Sequence, residues 1–198
     1  MMLQLLAMSL PSDTPIQILG GSLDDCQAAT RQVCDNDTIT LGDETITCLL
    51  TPGHTNGHIC YYSSLGFVFT GDCLFIGGCG KFFEGSPADM LVSMRKLAKL
   101  PPATAVYCGH EYTKSNYKFG VSVEPNNQDL LARHEATKDL TCTVPSSIEE
   151  EMKSNVFMRC AMLEHNEVKE LRTNLGCDEG SEFSEVLGAC RKTKDNFR

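Results

Sequence analysis

The chain changes its hydrophobic period once, near residue 111, and that change limits what it can fold into. Upstream lie four short apolar runs, 45–50 (Thr-Ile-Thr-Cys-Leu-Leu), 58–62 (His-Ile-Cys-Tyr-Tyr), 66–70 (Gly-Phe-Val-Phe-Thr) and 105–108 (Ala-Val-Tyr-Cys). Short runs rich in β-branched and aromatic residues, separated by turn formers, read as strands. Between the third and fourth, Ser86-Pro87-Ala88-Asp89 opens a helix. Ser86 supplies an N-cap oxygen, Pro87 suits the first position, and Met90, Met94, Leu97 and Leu100 share one face before Pro101 ends it. Downstream the strands stop, and helices are predicted at 127–140, 147–153, 160–174 and 182–195. Asn126-Asn127 before Gln128 is one start signal, and Ser147 three residues before Glu150 is a capping box. Strands interleaved with a helix, then helices alone, predict an α/β (α+β) fold with a helical C-terminal part.

Composition narrows the function. With 41% hydrophobic and 22% charged residues over 198 positions, the chain can bury a core. A net charge of -9, with no basic stretch, argues against nucleic-acid binding. The apolar opening, Met-Met-Leu-Gln-Leu-Leu-Ala-Met-Ser-Leu, lacks the basic start of a signal peptide and is too short to span a bilayer. It reads as the face of a helix stopped before Pro11, and a chain entered inside a helix suggests a truncated or alternative start. Eleven cysteines, an odd number without any Cys-x-x-Cys, favour a reducing compartment over a disulfide framework.

His54, Asp72 and His110 each stand at or just after the end of an apolar run, and each follows a glycine. Any one of them alone reads as a hydrogen-bonding turn residue. Three such positions together point to a shared site, because strand ends are where an α/β sheet presents functional groups. His58 follows His54 through Thr-Asn-Gly, which is loop chemistry, and is expected to support the site without being a ligand.

The segments that carry these residues resemble a known family. They are Thr51-Pro-Gly-His-Thr-Asn-Gly-His-Ile-Cys60, Val68-Phe-Thr-Gly-Asp-Cys-Leu-Phe75, Gly77-Gly-Cys-Gly-Lys-Phe-Phe-Glu-Gly85 and Val106-Tyr-Cys-Gly-His-Glu-Tyr112. With Asn155-Val-Phe-Met-Arg159 and Arg191-Lys-Thr-Lys-Asp-Asn-Phe197, the sequence resembles glyoxalase II, the hydroxyacylglutathione hydrolases of the metallo-β-lactamase superfamily. The resemblance implies an αββα sandwich over residues 1–111 and a helical substrate-binding domain over 112–198. It implies two zinc ions, with iron or manganese as alternatives, and hydrolysis of S-D-lactoylglutathione in methylglyoxal detoxification. On matching positions His54 and His110 are metal ligands and Asp72 is the carboxylate shared by both ions. Imidazole and carboxylate suit borderline divalent ions, which lower the pKa of bound water from 15.7 to about 7. Lys81, Phe83, Tyr112, Arg191 and Lys194 fall on positions that hold glutathione, and Phe83 replaces a tyrosine common in the family.

One family signature is not found. His-x-His-x-Asp-His should precede His54, yet residues 1–53 contain no histidine. The expectation is therefore a chain begun after that motif, lacking four of the family's seven ligands, with weak metal loading and impaired hydrolysis. A bared sheet edge is expected to invite pairing with another chain, although a monomer is the basic expectation. A catalytically silent binder of glutathione conjugates is the alternative. The cytoplasm is the expected location, and the mitochondrial matrix for a longer form.

Overall fold

The computed structural model describes residues 16–162 and 167–197. The apolar helix expected within residues 1–10 lies outside them, as do four residues inside the helix expected at 160–174. The sheet that organises the site has six strands in the order β10-β9-β6-β5-β4-β3. They are β3 (Thr38–Leu41), β4 (Glu44–Leu50), β5 (Ile59–Ser63), β6 (Phe67–Gly71), β9 (Ala105–Cys108) and β10 (Ser146–Ser147). Neighbours pair antiparallel except β6 and β9, which are parallel. Consequently β4, β6 and β9 all run in one direction and end on one side of the sheet. His54, Asp72 and His110 follow these three ends, so topology alone gathers them.

Alternation divides the sheet into two apolar faces, the pattern of a sheet meant to be covered twice. Leu49, Cys60, Val68 and Val106 join a core with Met90, Met94 and Leu97 of helix α1 (Pro87–Leu97). On the opposite face Tyr61, Phe69 and Tyr107 are register partners across β5, β6 and β9. That face is only partly covered: Leu41 is 70% and Phe69 46% exposed. A short parallel pair, β1 (Leu19–Gly21) with β2 (Arg31–Val33), belongs to the segment that lies over one end of it.

Helix α1 has the expected Ser86 cap, completed by Asp89 as a capping box, and stops at Leu97. Two elements near the site were not anticipated. The hairpin β7 (Leu74–Phe75) and β8 (Gly78–Cys79) connects Asp72 to Lys81. Helix α2 (Thr113–Val123) begins directly after Tyr112. Its buried residues are Thr113, Asn116, Tyr117, Phe119, Gly120 and Val123; polar and small residues interrupt the apolar stripe, so hydrophobicity alone does not reveal it. The rest is helical: α3 (Gln128–Thr137), α4 (Ile148–Ser154), α5 (Val156–Met162), α6 (Lys169–Asn174) and α7 (Phe183–Asn196). The single helix expected at 160–174 is instead represented by α5 and α6. Helix α7 packs on α1 and α5, which returns the end of the chain to the site. Among the described residues no helix is long and apolar enough to cross a membrane.

Candidate metal and substrate site

Gly71 and Gly109 bring two of the site residues together for different reasons. Gly71 has φ +48°, a left-handed conformation that costs glycine little and aims Asp72 off the end of β6. Gly109 has no such φ, but a Cβ there would come within 2.5 Å of Asp72 Oδ1. Its amide donates to the Gly71 carbonyl at 2.9 Å, fastening the turns after β6 and β9 to each other.

The structure places Asp72 Oδ2 3.5 Å from both His54 Nε2 and His110 Nε2. His54 Nδ1 lies 2.9 Å from the Lys81 carbonyl. A carbonyl only accepts, so Nδ1 carries a proton and Nε2 is the nitrogen that faces the carboxylate. An imidazole nitrogen and a carboxylate oxygen set this close are donor atoms that a divalent cation could share. Behind them His58 Nε2 accepts the Asp72 amide at 3.3 Å, and Nδ1 pairs with Thr51 Oγ1 at 2.9 Å. Both His58 nitrogens are thus engaged in holding the Asp72 turn.

A pocket of about 390 Å³ opens beside this cluster, with His54, Asp72, Lys81, Phe83, Tyr112, Arg191 and Lys194 in its walls. His110 is not among the wall residues; its ring stacks on Tyr112 at 5.0 Å. Phe83 is 71% exposed and meets the His54 ring edge-on at 5.1 Å. Arg191 is nearly buried: Nη1 donates to the Cys79 carbonyl at 3.1 Å, and the guanidinium lies over Phe157 at 5.3 Å. Lys194 Nζ donates to the Ser115 carbonyl at 2.7 Å and lies over Phe119. Burial, aided by Arg191, lowers its pKa to about 8. Sequence reasoning passed over Asp195, which contacts Arg191 at 2.8 Å and Lys81 at 3.8 Å. Its spacing of four from Arg191 on a helix was the available signal.

Comparison with known proteins first defines the class. Residues 10–110 match the metallo-β-lactamase superfamily. The fold is similar to ETHE1 from Myxococcus xanthus, with TM-score 0.56 and 25% identity over 95% of this chain and 69% of that one. A metallo-β-lactamase from Staphylococcus aureus subsp. aureus COL shares the fold at TM-score 0.53 and 20% identity, over 88% of this chain and 49% of that one. Residues 111–197 match the hydroxyacylglutathione hydrolase C-terminus.

The cytoplasmic hydroxyacylglutathione hydrolase of Arabidopsis thaliana is 43% identical over 195 residues, 92% of this chain and 72% of that protein. Those of Chelativorans sp. (strain BNC1) and Cupriavidus metallidurans are 42% and 39% identical, covering 84% and 95% of this chain. The chain spans 65% and 73% of their respective lengths. It belongs to the hydroxyacylglutathione hydrolases, a family of thiolester hydrolases.

Superfamily and family imply metal ions. The donor types fit: imidazole nitrogens of His54 and His110 converge on the Asp72 carboxylate. Among the described residues the donor number does not. Each ion of a pair would find one histidine and the shared Asp72, below the three protein ligands that a catalytic zinc normally retains. Among the described residues no group of three or more His, Cys, Asp or Glu side chains is arranged to hold an ion.

Proposed function

We propose that this chain recognises S-(2-hydroxyacyl)glutathione, with S-D-lactoylglutathione as the reference substrate, and that its own hydrolysis of the thioester is impaired. The observation that carries this is the gathering of Lys81, Arg191 and Lys194, the first more than a hundred residues from the other two, around one pocket that also contains His54 and Asp72. On a protein of net charge -9, three cations in one concavity mark a site for an anion, and glutathione brings carboxylates. Tyr112 and Phe83 supply flat walls for the peptide and the acyl group. Lys81 and Lys194 draw the ligand's carboxylate to one end of the pocket, while His54 and Asp72 lie where the thioester would be presented.

His54, Asp72 and His110 are the metal-binding residues in this reading, with zinc preferred by the donor set and iron or manganese as alternatives. A bound ion would supply water acidic enough to act as hydroxide near neutral pH. Residues 1–111 would thus carry the metal-binding part and 112–198 the substrate-binding helices. The setting is methylglyoxal detoxification by a cytoplasmic monomer. The shortage of donors also favours a second reading, a catalytically silent binder of glutathione conjugates.

Calorimetric titration of the metal-free chain with S-methylglutathione tests recognition, and hydrolysis assayed with added zinc separates the two readings. Binding without turnover supports the silent binder, while absence of binding at millimolar ligand defeats both. The same titration carries a pH signature. Lys194 lies beside Arg191, Cys190, Asp195 and Cys79, and its pKa of about 8 is well below the ordinary 10.5. Its charge is present at pH 7 and lost as pH rises through 8, so affinity is expected to fall several-fold between pH 7 and 9. Lys194→Met should flatten that fall.

Phe83 offers a gain-of-affinity test. A tyrosine there would add a hydroxyl at an exposed position on the pocket wall, and one hydrogen bond contributes about 0.5–1.5 kcal/mol. Phe83→Tyr is expected to tighten S-methylglutathione binding by a factor of about two to ten, with an unchanged melting temperature. Equal affinity would mean that the hydroxyl finds no partner on the ligand.

A further inference from the structure

Lys81, Phe83 and Arg191 are shared between the substrate pocket and a second, more open groove of about 490 Å³. Asp195 lines the second groove and is not among the walls of the first. One of its oxygens, Oδ1, is 2.8 Å from Arg191 Nη2 and 3.8 Å from Lys81 Nζ. The two cations therefore form a partition, with the ligand's side in front and a fixed carboxylate behind. We propose that Asp195 is an internal counter-ion that restrains the pocket's affinity for anionic ligands, chiefly by holding Lys81 toward the rear groove. This rests on the reading of the pocket as a glutathione site.

The two contacts differ in kind. Arg191 is fixed independently by the Cys79 carbonyl and the Phe157 ring, with a side chain only 10% exposed. Removing the Asp195 charge leaves those two restraints in place. Lys81 has a side chain 58% exposed, and its contact with Asp195 is long. A flexible ammonium in that position can turn toward either carboxylate, and the choice is governed by their relative charge and distance. A pair spaced four residues apart on a helix accounts for Asp195 with Arg191. It does not account for Lys81, which arrives from a loop more than a hundred residues away.

Asp195→Asn keeps the shape and an acceptor for Arg191 but removes the charge, and its exposed contact with Lys81 contributes little to folding. In calorimetry at low salt the variant should bind S-methylglutathione about three- to tenfold more tightly than the wild type. The gain should shrink as salt is raised. It should vanish for S-methylglutathione with its glycine carboxylate amidated, and in the Lys81→Met background. Equal or weaker binding by Asp195→Asn at unchanged melting temperature overturns the inference, as does an equal gain with the amidated ligand. If neither wild type nor variant binds, the reading of the pocket falls and takes this inference with it. If the wild type binds and the variant gains nothing, this inference alone falls.

Discussion

Purified chain equilibrated with zinc and then freed of loosely held ion is expected to retain well under one equivalent, and to turn over S-D-lactoylglutathione at least about a hundredfold more slowly than the Arabidopsis relative. The ground is donor number. Asp72 Oδ2 is equidistant from His54 and His110, so among the described residues a metal pair would share Asp72 and have one histidine for each ion. Loss even of an outer-shell partner commonly costs about 10–100-fold in metal affinity or activity, and a shortage of direct ligands is a larger defect. Because the ligands must be fixed in place before an ion binds tightly, two donors per ion give little affinity against water. Asp72→Asn should abolish the residual zinc binding, since it weakens the donor that both ions share. The idea is sunk if metal analysis returns near two equivalents together with hydrolysis at a rate comparable to the relative's.

The gathering of His54, Asp72 and His110 was legible in the sequence because it depends on strand order and turns, both local signals. The runs around Cys48, Cys60, Val68 and Val106 announced their strands by β-branched and aromatic content, and all four form. Three glycines marked where the site residues leave the sheet, though the reason at Gly109 is close approach to Asp72 and only the structure reveals it. Helix α2 was hidden because its inward positions include Thr113, Asn116 and Gly120, which carry no hydrophobic signal. The hairpin β7–β8 was hidden because each of its strands is two residues long. Arg191 and Lys194 were suspected as pocket residues, and the structure places both in its wall. Their partners Cys79, Phe157 and Ser115 are distant in sequence, and no periodicity links them. The segment from Asn155 to Arg159 was recognisable as a family pattern without a visible purpose. Its purpose is three-dimensional: Arg159 pairs with the buried Glu124, and Asn155 reaches back to the hairpin beside the site.

That last connection yields the largest expected effect on stability. Glu151 is fully buried, and its carboxylate accepts from Gly77 N at 2.9 Å, Asn155 Nδ2 at 2.8 Å and Ser146 Oγ at 2.6 Å. Asn155 also donates to the Phe75 and Gly78 carbonyls, so the two side chains fasten helices α4 and α5 to the hairpin that leads to Lys81. Burial holds the Glu151 pKa above its ordinary value, against the pull of these hydrogen bonds. The folded state therefore binds a proton more readily than the unfolded one, and stability from this group declines as pH rises above 4.5 through the folded-state pKa. Glu151→Gln removes that dependence and keeps the pattern, because its oxygen can accept from Gly77 and Asn155 while its amide donates to Ser146. It is expected to lie within about 1 kcal/mol of the wild type near neutral pH. Glu151→Leu leaves the Gly77 amide and the Ser146 hydroxyl without their acceptor in a dry interior, at about 1–3 kcal/mol each, and should lower unfolding free energy by about 4 kcal/mol. Urea unfolding followed by circular dichroism measures both. Equal losses in the two variants would show that volume matters here and hydrogen bonding does not. A network acting on the hairpin should also weaken S-methylglutathione binding in Glu151→Leu below its unfolding transition, because Gly77 and Lys81 lie on one short connection whose shape depends on the Glu151 carboxylate.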